Sequence, residues 1–151
     1  MRALIQRVKR SSVTIDGRLH SSIGKGILVL LGIKEGDGDP EAAYVAEKCA
    51  ALRIFEDAEG KMNLSVRDVE GEVMVVSQFT LYGDTRKGSR PSYSDAASPQ
   101  LAKLLYDKYI SEMKRIVGSQ KVQSGTFRAM MDVELVNDGP VTVMVESKDS
   151  R

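Results

Sequence analysis

Histidine and cysteine are almost missing from this chain: His20 and Cys49 are the single examples of each, and tryptophan is absent. One cysteine excludes an intramolecular disulfide, and one histidine with one cysteine cannot supply a Cys/His zinc cluster. Any Ser-His-Asp or Cys-His mechanism would have to run through His20. That residue follows a turn, among Arg18, Ser21 and Ser22, and reads as exposed and uninvolved. Charge of one sign is missing as well, since 22 Lys and Arg against 21 Asp and Glu leave +1. Such a balance argues against broad coating of nucleic acid, which draws on many unpaired cations, and leaves room for a small basic patch. The longest strongly apolar stretch, Ile27 to Ile33, is far short of the roughly 20 residues that span a bilayer. The first ten residues alternate apolar and basic side chains and lack the continuous apolar core of a secretory signal. With the unpaired cysteine, this reads as a cytoplasmic protein with no membrane partner, no metal and no cofactor.

What is present suffices for a core. With 151 residues and 16.6 kDa, area scaling lets roughly two-thirds of the unfolded chain's surface be buried, without staples. Residues 3–15 form a long strand or a broken pair of strands, followed by a turn at Asp16-Gly17. Gly26 to Ile33 is almost wholly apolar, as in a strand covered on both faces. Asp39 and Pro40 are placed to open a helix whose stripe carries Ala42, Val45, Ala46, Cys49 and Leu52. Cys49 on that stripe is a core residue rather than a reactive thiol. Glu72 to Phe79 is a strand; residues 82–97, rich in Gly, Ser, Arg and Asp, form a long loop. Ser98 and Pro99 start a second helix with an apolar stripe of Leu101, Leu104, Leu105, Tyr109, Met113, Ile116 and Val117, and Gly118 ends it. A strand from about Phe127 to Val136, a turn at residues 137–140 and a final strand close the chain. Without a regular strand-helix repeat, this predicts a single α+β domain over residues 1–151, with a curved mixed sheet or barrel-like sheet and two main helices.

Three segments carry candidate chemistry. At Ser77-Gln78-Phe79-Thr80 a buried strand releases hydroxyl and amide groups, either because it surfaces there or because it presents polar atoms and backbone N–H groups to a ligand. The Thr80 hydroxyl has no acid or histidine beside it in sequence to activate it. Gly139-Pro140 is either a plain turn or a corner whose unshielded carbonyls accept hydrogen bonds from a ligand's ammonium group. The loop containing Arg86, Lys87 and Arg90, with Tyr82 and Tyr93 near its ends, is a solvated loop or a grip for a few phosphates and a stacked base. Arg7, Lys9 and Arg10 would extend that grip if the first strand lies beside it.

Taken with Arg2 to Val8, Arg53-Ile54-Phe55, Asp57 to Asn63 and Arg90-Pro91-Ser92-Tyr93, the blocks Ser77-Gln78-Phe79-Thr80-Leu81 and Asn137-Asp138-Gly139-Pro140-Val141-Thr142 resemble the D-aminoacyl-tRNA deacylases over essentially the whole chain. The resemblance implies a hydrolase that frees D-amino acids, and glycine, from the aminoacylated 3' end of tRNA. It implies a homodimer in which Gly139 and Pro140, joined by a cis peptide, enter the partner's active site and leave no room for an L side chain. Ser77, Gln78, Phe79 and Thr80 would line the pocket beside the ester, while the 2'-hydroxyl of the terminal adenosine assists hydrolysis. Phe127 and Met131 match positions near the terminal adenine, and Arg128 departs from the small residue expected after the phenylalanine.

Overall fold

The computed structural model describes residues 1–148. One strand organises it. β1 (Arg2–Ile15) runs unbroken for 14 residues, pairing antiparallel on one edge with β8 (Asp132–Glu146) and on the other with β3 (Gly26–Gly32) and then β2 (Arg18–Ile23). From β3 the sheet continues in parallel through β6 (Glu72–Ser77) to β7 (Val122–Ser124). The far edge curls back toward β2, where the Ser21 hydroxyl donates to the Ser124 carbonyl at 2.9 Å. The result is a nearly closed, barrel-like mixed sheet, with a small hairpin of β4 (Phe55–Glu56) and β5 (Met62–Leu64) beside it. The β7 strand, only three residues long, carries too short a pattern for sequence reading to find it.

The hydrophobic run of β3 has the cause its sequence suggests. Ile27, Val29 and Leu31 face the helices α1 (Asp39–Ala51) and α2 (Pro99–Val117), while Leu28 joins Val8, Val13, Ile23, Met74 and Val76 inside the curl. At roughly 1.5–3 kcal/mol per fully buried aliphatic side chain, such a doubly covered strand anchors the fold.

The helices follow the sequence with two corrections. Gly38, not Asp39, caps α1: its carbonyl accepts from the Glu41 and Ala42 N–H groups, and its N–H donates to Glu41 Oε2 at 2.8 Å. Glu41 reaches back across the first turn, so no side chain is needed at the cap itself. On α2, Ser98 accepts from the Leu101 N–H at 3.3 Å as expected, but Leu104 is exposed and Tyr106 is buried in its place. The Tyr106 hydroxyl reaches the Val75 carbonyl at 3.1 Å, giving a polar tip a partner inside the core.

Cys49 lies in the contact between α1 and α2, and burial pushes its thiol up to about 12. Its thiolate is therefore scarce at neutral pH. Native protein at pH 8 is expected to resist a disulfide-exchange reagent such as DTNB, with one equivalent reacting promptly once the chain is unfolded; fast labelling of the native state would contradict this packing.

The expected turn and separate final strand at residues 137–140 do not form. β8 is a single strand along β1, interrupted by a bulge: between the pairs Gln6↔Thr142 and Val8↔Asn137, only Arg7 stands opposite residues 138–141. Two side chains hold the bulge. Asn137 Nδ2 donates to the Arg7 and Val141 carbonyls, both at 3.0 Å. The buried Arg7 guanidinium donates to the Asp138 carbonyl at 3.2 Å and to the Ile54 carbonyl at 2.7 Å. Arg7 is thus committed inside the fold and does not extend a basic surface.

Candidate functional site

Beyond Ser77 the chain leaves the sheet in a short 3-10 turn, Phe79–Tyr82, and the strand is shorter at this end than its pattern suggests. The Gln78 N–H donates to the Leu31 carbonyl at 2.8 Å, tying the exit to β3. Leu81 N–H then donates to the Gln78 carbonyl and Gly83 N–H to the Thr80 carbonyl. The N–H groups of Phe79 and Thr80 open the turn, where first-turn donors have no partner within a helix.

A cleft of about 640 Å³ opens at this strand end. Ser77, Gln78 and Phe79 form one wall, and Phe127, Met131 and Val133 another. Tyr93 and the start of α2, at Pro99 and Ala102, complete it. The mouth is apolar and open: Phe79 is 56% exposed and Met130 89% exposed. Phe79 packs edge-on against Tyr93, with centroids 5.1 Å apart. Phe127 leans on Tyr106 at 5.8 Å, and burial holds the Tyr106 hydroxyl up at about 12, so it stays a neutral donor at any ordinary pH. α2 therefore positions Phe127 through a core residue. Gly125 matters too, because a Cβ there would come within 2.5 Å of Met131 Sδ and displace that side chain.

Five of the residues singled out in the sequence, Ser77, Gln78, Phe79, Phe127 and Met131, are brought together here. Thr80 sits just outside, exposed, and its Oγ1 accepts from Gln78 Nε2. Among the described residues no carboxylate or imidazole is hydrogen-bonded to that hydroxyl. His20 is exposed and lies 3.4 Å from Thr126 Oγ1. Arg128 stands exposed on the cleft rim at φ +68°, in a turn that precedes β8; the strand begins at Asp132 rather than near Phe127. No group of three or more His, Cys, Asp or Glu among the described residues is placed to hold a metal ion, and no described helix is long and apolar enough to cross a membrane.

Two predicted groups lie elsewhere. Arg86, Lys87 and Arg90 are exposed on the loop after the 3-10 turn, which the backbone pairs Asp84–Ser92 (2.7 and 2.9 Å) close at its base. Arg86 is engaged by Asp84 at 2.7 Å, and its hydrogen bonds hold that carboxyl down at about 2. Arg86 faces a separate recess with Arg2, Lys34 and Tyr82. Gly139 and Pro140 are exposed at the β8 bulge and do not line the cleft of their own chain; the peptide bond between them is cis. Tyr93, read in the sequence as an aromatic beside the basic loop, lines this cleft instead; the residues missed are Pro99 and Ala102, whose positions depend on how the long loop returns to α2, a relation with no local signal.

Comparison with known proteins agrees in sequence and fold. The family described as D-Tyr-tRNA(Tyr) deacylase matches residues 4–146. A D-aminoacyl-tRNA deacylase of Carboxydothermus hydrogenoformans is 55% identical over 146 residues, covering 97% of this chain and 99% of that protein. The Heliobacterium modesticaldum protein of the same name is 56% identical over 148 residues, covering 98% and 97%. Among solved structures, a c-Myc DNA unwinding element binding protein superposes with a TM-score of 0.93 at 40% identity, over 97% of this chain and 99% of that one. A probable eukaryotic D-amino acid tRNA deacylase shares the fold, with a TM-score of 0.80 at 16% identity over 96% and 98%.

Proposed function

The chain belongs to the D-Tyr-tRNA(Tyr) deacylase family and is a hydrolase of the D-aminoacyl-tRNA ester, and from that premise we propose how it works. Water adds to the ester carbonyl, the carbon–oxygen bond to the ribose breaks, and the ribose oxygen leaves with a proton. The products are free tRNA and the free D-amino acid. The observation that carries the reading is the cleft itself, which sets Ser77, Gln78 and Phe79 against an apolar wall at Phe127 and Met131, beside the 3-10 turn whose first N–H groups belong to Phe79 and Thr80. The donors stabilise charge developing on the carbonyl oxygen. Phe127 and Met131 receive the terminal adenine, and Ser77 and Gln78 line the pocket beside the ester. Because Thr80 has no activating base among the described residues, the assisting group is the 2'-hydroxyl of the terminal adenosine rather than a protein nucleophile. Arg86, Lys87 and Arg90 lie along the course of the tRNA end.

The exposed Gly139-Pro140 corner acts in a homodimer, entering the partner's cleft, where its carbonyls accept from the substrate ammonium group and its backbone excludes an L side chain. The open apolar mouth and the exposure of a corner that does not line its own cleft support this arrangement. Glycine, with no side chain, passes the same gate, so glycyl-tRNA is a further substrate. A cytoplasmic setting suits a tRNA substrate. The test is a time course with D-Tyr-tRNA: loss of the ester with release of tyrosine is expected, and protection of the ester would make the protein an RNA-end-binding module instead.

A further inference from the structure

At the other end of α2 lies a second recess of about 510 Å³, walled by Arg53, Arg67 and Arg115 together with Glu47, Asn63 and Asp68. Arg115 is engaged by Glu112 at 2.8 Å and Glu47 at 3.3 Å. Asp68 is turned onto Ser65, accepting from its N–H at 2.9 Å. The other two guanidinium groups are different. Asn63 braces Arg53, accepting from Nε at 3.0 Å and from Nη2 at 3.1 Å. Arg67 is exposed, and no carboxylate among the described residues lies within ion-pair distance of either arginine. The charges of Arg67 and Arg53 also help hold the Asp68 carboxyl below the usual range, after its hydrogen bonds from Ser65. Even so, the three guanidinium groups on the recess outnumber its two carboxylates, Glu47 and Asp68, leaving a local excess of positive charge in a chain with a net charge of only +1. The planar guanidinium matches the oxygens of a phosphate.

Position gives the recess a partner. Ala102 borders the active cleft and Arg115 this recess, so the two sites lie about 20 Å apart along α2 at roughly 1.5 Å per residue. An RNA strand carries a phosphate at every nucleotide, so one whose last nucleotide occupies the cleft presents phosphates at that reach within several nucleotides of its 3' end. We propose that Arg53 and Arg67 bind a backbone phosphate of the substrate RNA upstream of its 3' end. This rests on the deacylase reading for the placement of the RNA end.

Because the exposed Arg67 side chain makes no hydrogen bond or ion pair among the described residues, its one bond being from the Glu70 N–H to its backbone carbonyl at 3.1 Å, Arg67→Glu and the milder Arg67→Gln should fold with unchanged melting temperatures. Direct binding of uncharged tRNA is expected to weaken about tenfold in Arg67→Glu and less in Arg67→Gln, with the salt slope reduced by about one phosphate contact. For turnover, KM on full-length D-aminoacyl-tRNA should rise about tenfold at unchanged kcat, while a D-aminoacyl trinucleotide ending in adenosine is hydrolysed as by the wild type. Unchanged tRNA affinity would overturn the proposal, as would equal loss on both substrates or binding of inorganic phosphate without any effect on tRNA. A wild-type protein that binds tRNA in this Arg67-dependent way but releases no amino acid would uphold the phosphate site and refute the deacylase reading, so the two failures are distinct.

Discussion

Gly139→Ala is expected to lower kcat/KM on D-aminoacyl-tRNA by about a hundredfold or more while the chain still folds. At this position φ is +126°, and a Cβ would stand 2.9 Å from Val141 Cγ2, 3.0 Å from Arg7 Nη2 and 3.1 Å from the Val141 nitrogen. None of these neighbours can simply give way. Arg7 is held by the Asp138 and Ile54 carbonyls, and Val141 by Asn137. The conformational strain alone costs on the order of 1–3 kcal/mol, and relief requires the corner to shift. A misplacement of about 1 Å in a positioning element is enough for a loss of about a hundredfold. If the corner acts in the partner's cleft, the defect should be complemented. Mixing Gly139→Ala protomers with Phe127→Ala protomers places an intact corner in an intact cleft in each mixed dimer, restoring about a quarter of the sites under random pairing. A folded Gly139→Ala protein with full rate and full discrimination would remove the corner from the mechanism.

The second large effect lies in the substrate. With the amino acid attached at the 3' oxygen, a terminal 2'-deoxyadenosine is expected to reduce turnover on the order of a thousandfold, the scale of losing a positioned proton-transfer group. Thr80→Ala, by contrast, should stay within about tenfold of the wild type, because a hydroxyl with no base beside it contributes position rather than attack. The geometry supports this contrast: the only side-chain hydrogen bond given to Thr80 Oγ1 among the described residues comes from Gln78 Nε2, a donor that cannot take its proton. The reverse outcome, normal turnover of the deoxy substrate and collapse in Thr80→Ala, would install Thr80 as the nucleophile.

Much of this arrangement is legible in the chain, and the boundary of legibility has physical causes. The doubly covered β3, the Ser98 cap and the buried Cys49 follow from local patterns of apolar side chains and capping groups, which act over a few residues. Gly38 was hidden because its cap is completed from Glu41, a side chain that serves the helix start equally well behind either candidate cap. Leu104 and Tyr106 exchange the places that apolarity alone assigns them, because a buried hydroxyl with a carbonyl partner at Val75 satisfies the core as well. The longer-range error at residues 137–140 has the same origin: Asn-Asp-Gly-Pro has turn chemistry, but Arg7 and Asn137 convert it into a bulge on a strand paired 130 residues away in sequence with β1. In the candidate site, Ser77-Gln78-Phe79 and Phe127 with Met131 were each visible, yet their meeting in one cleft depends on β6, β7 and α2 packing together. Gly139-Pro140 stands out as a corner, while its absence from the lining of its own cleft emerges only from the fold.

The central claim is that this cleft hydrolyses the tRNA ester and selects by chirality through exclusion of a side chain on the L face. Parallel time courses with D-Tyr-tRNA and L-Tyr-tRNA, matched in tRNA and enzyme concentration, measure that selection directly. The D ester is predicted to disappear at least about a hundredfold faster than the L ester, corresponding to roughly 2.7 kcal/mol of discrimination; equal rates for the two would contradict the account.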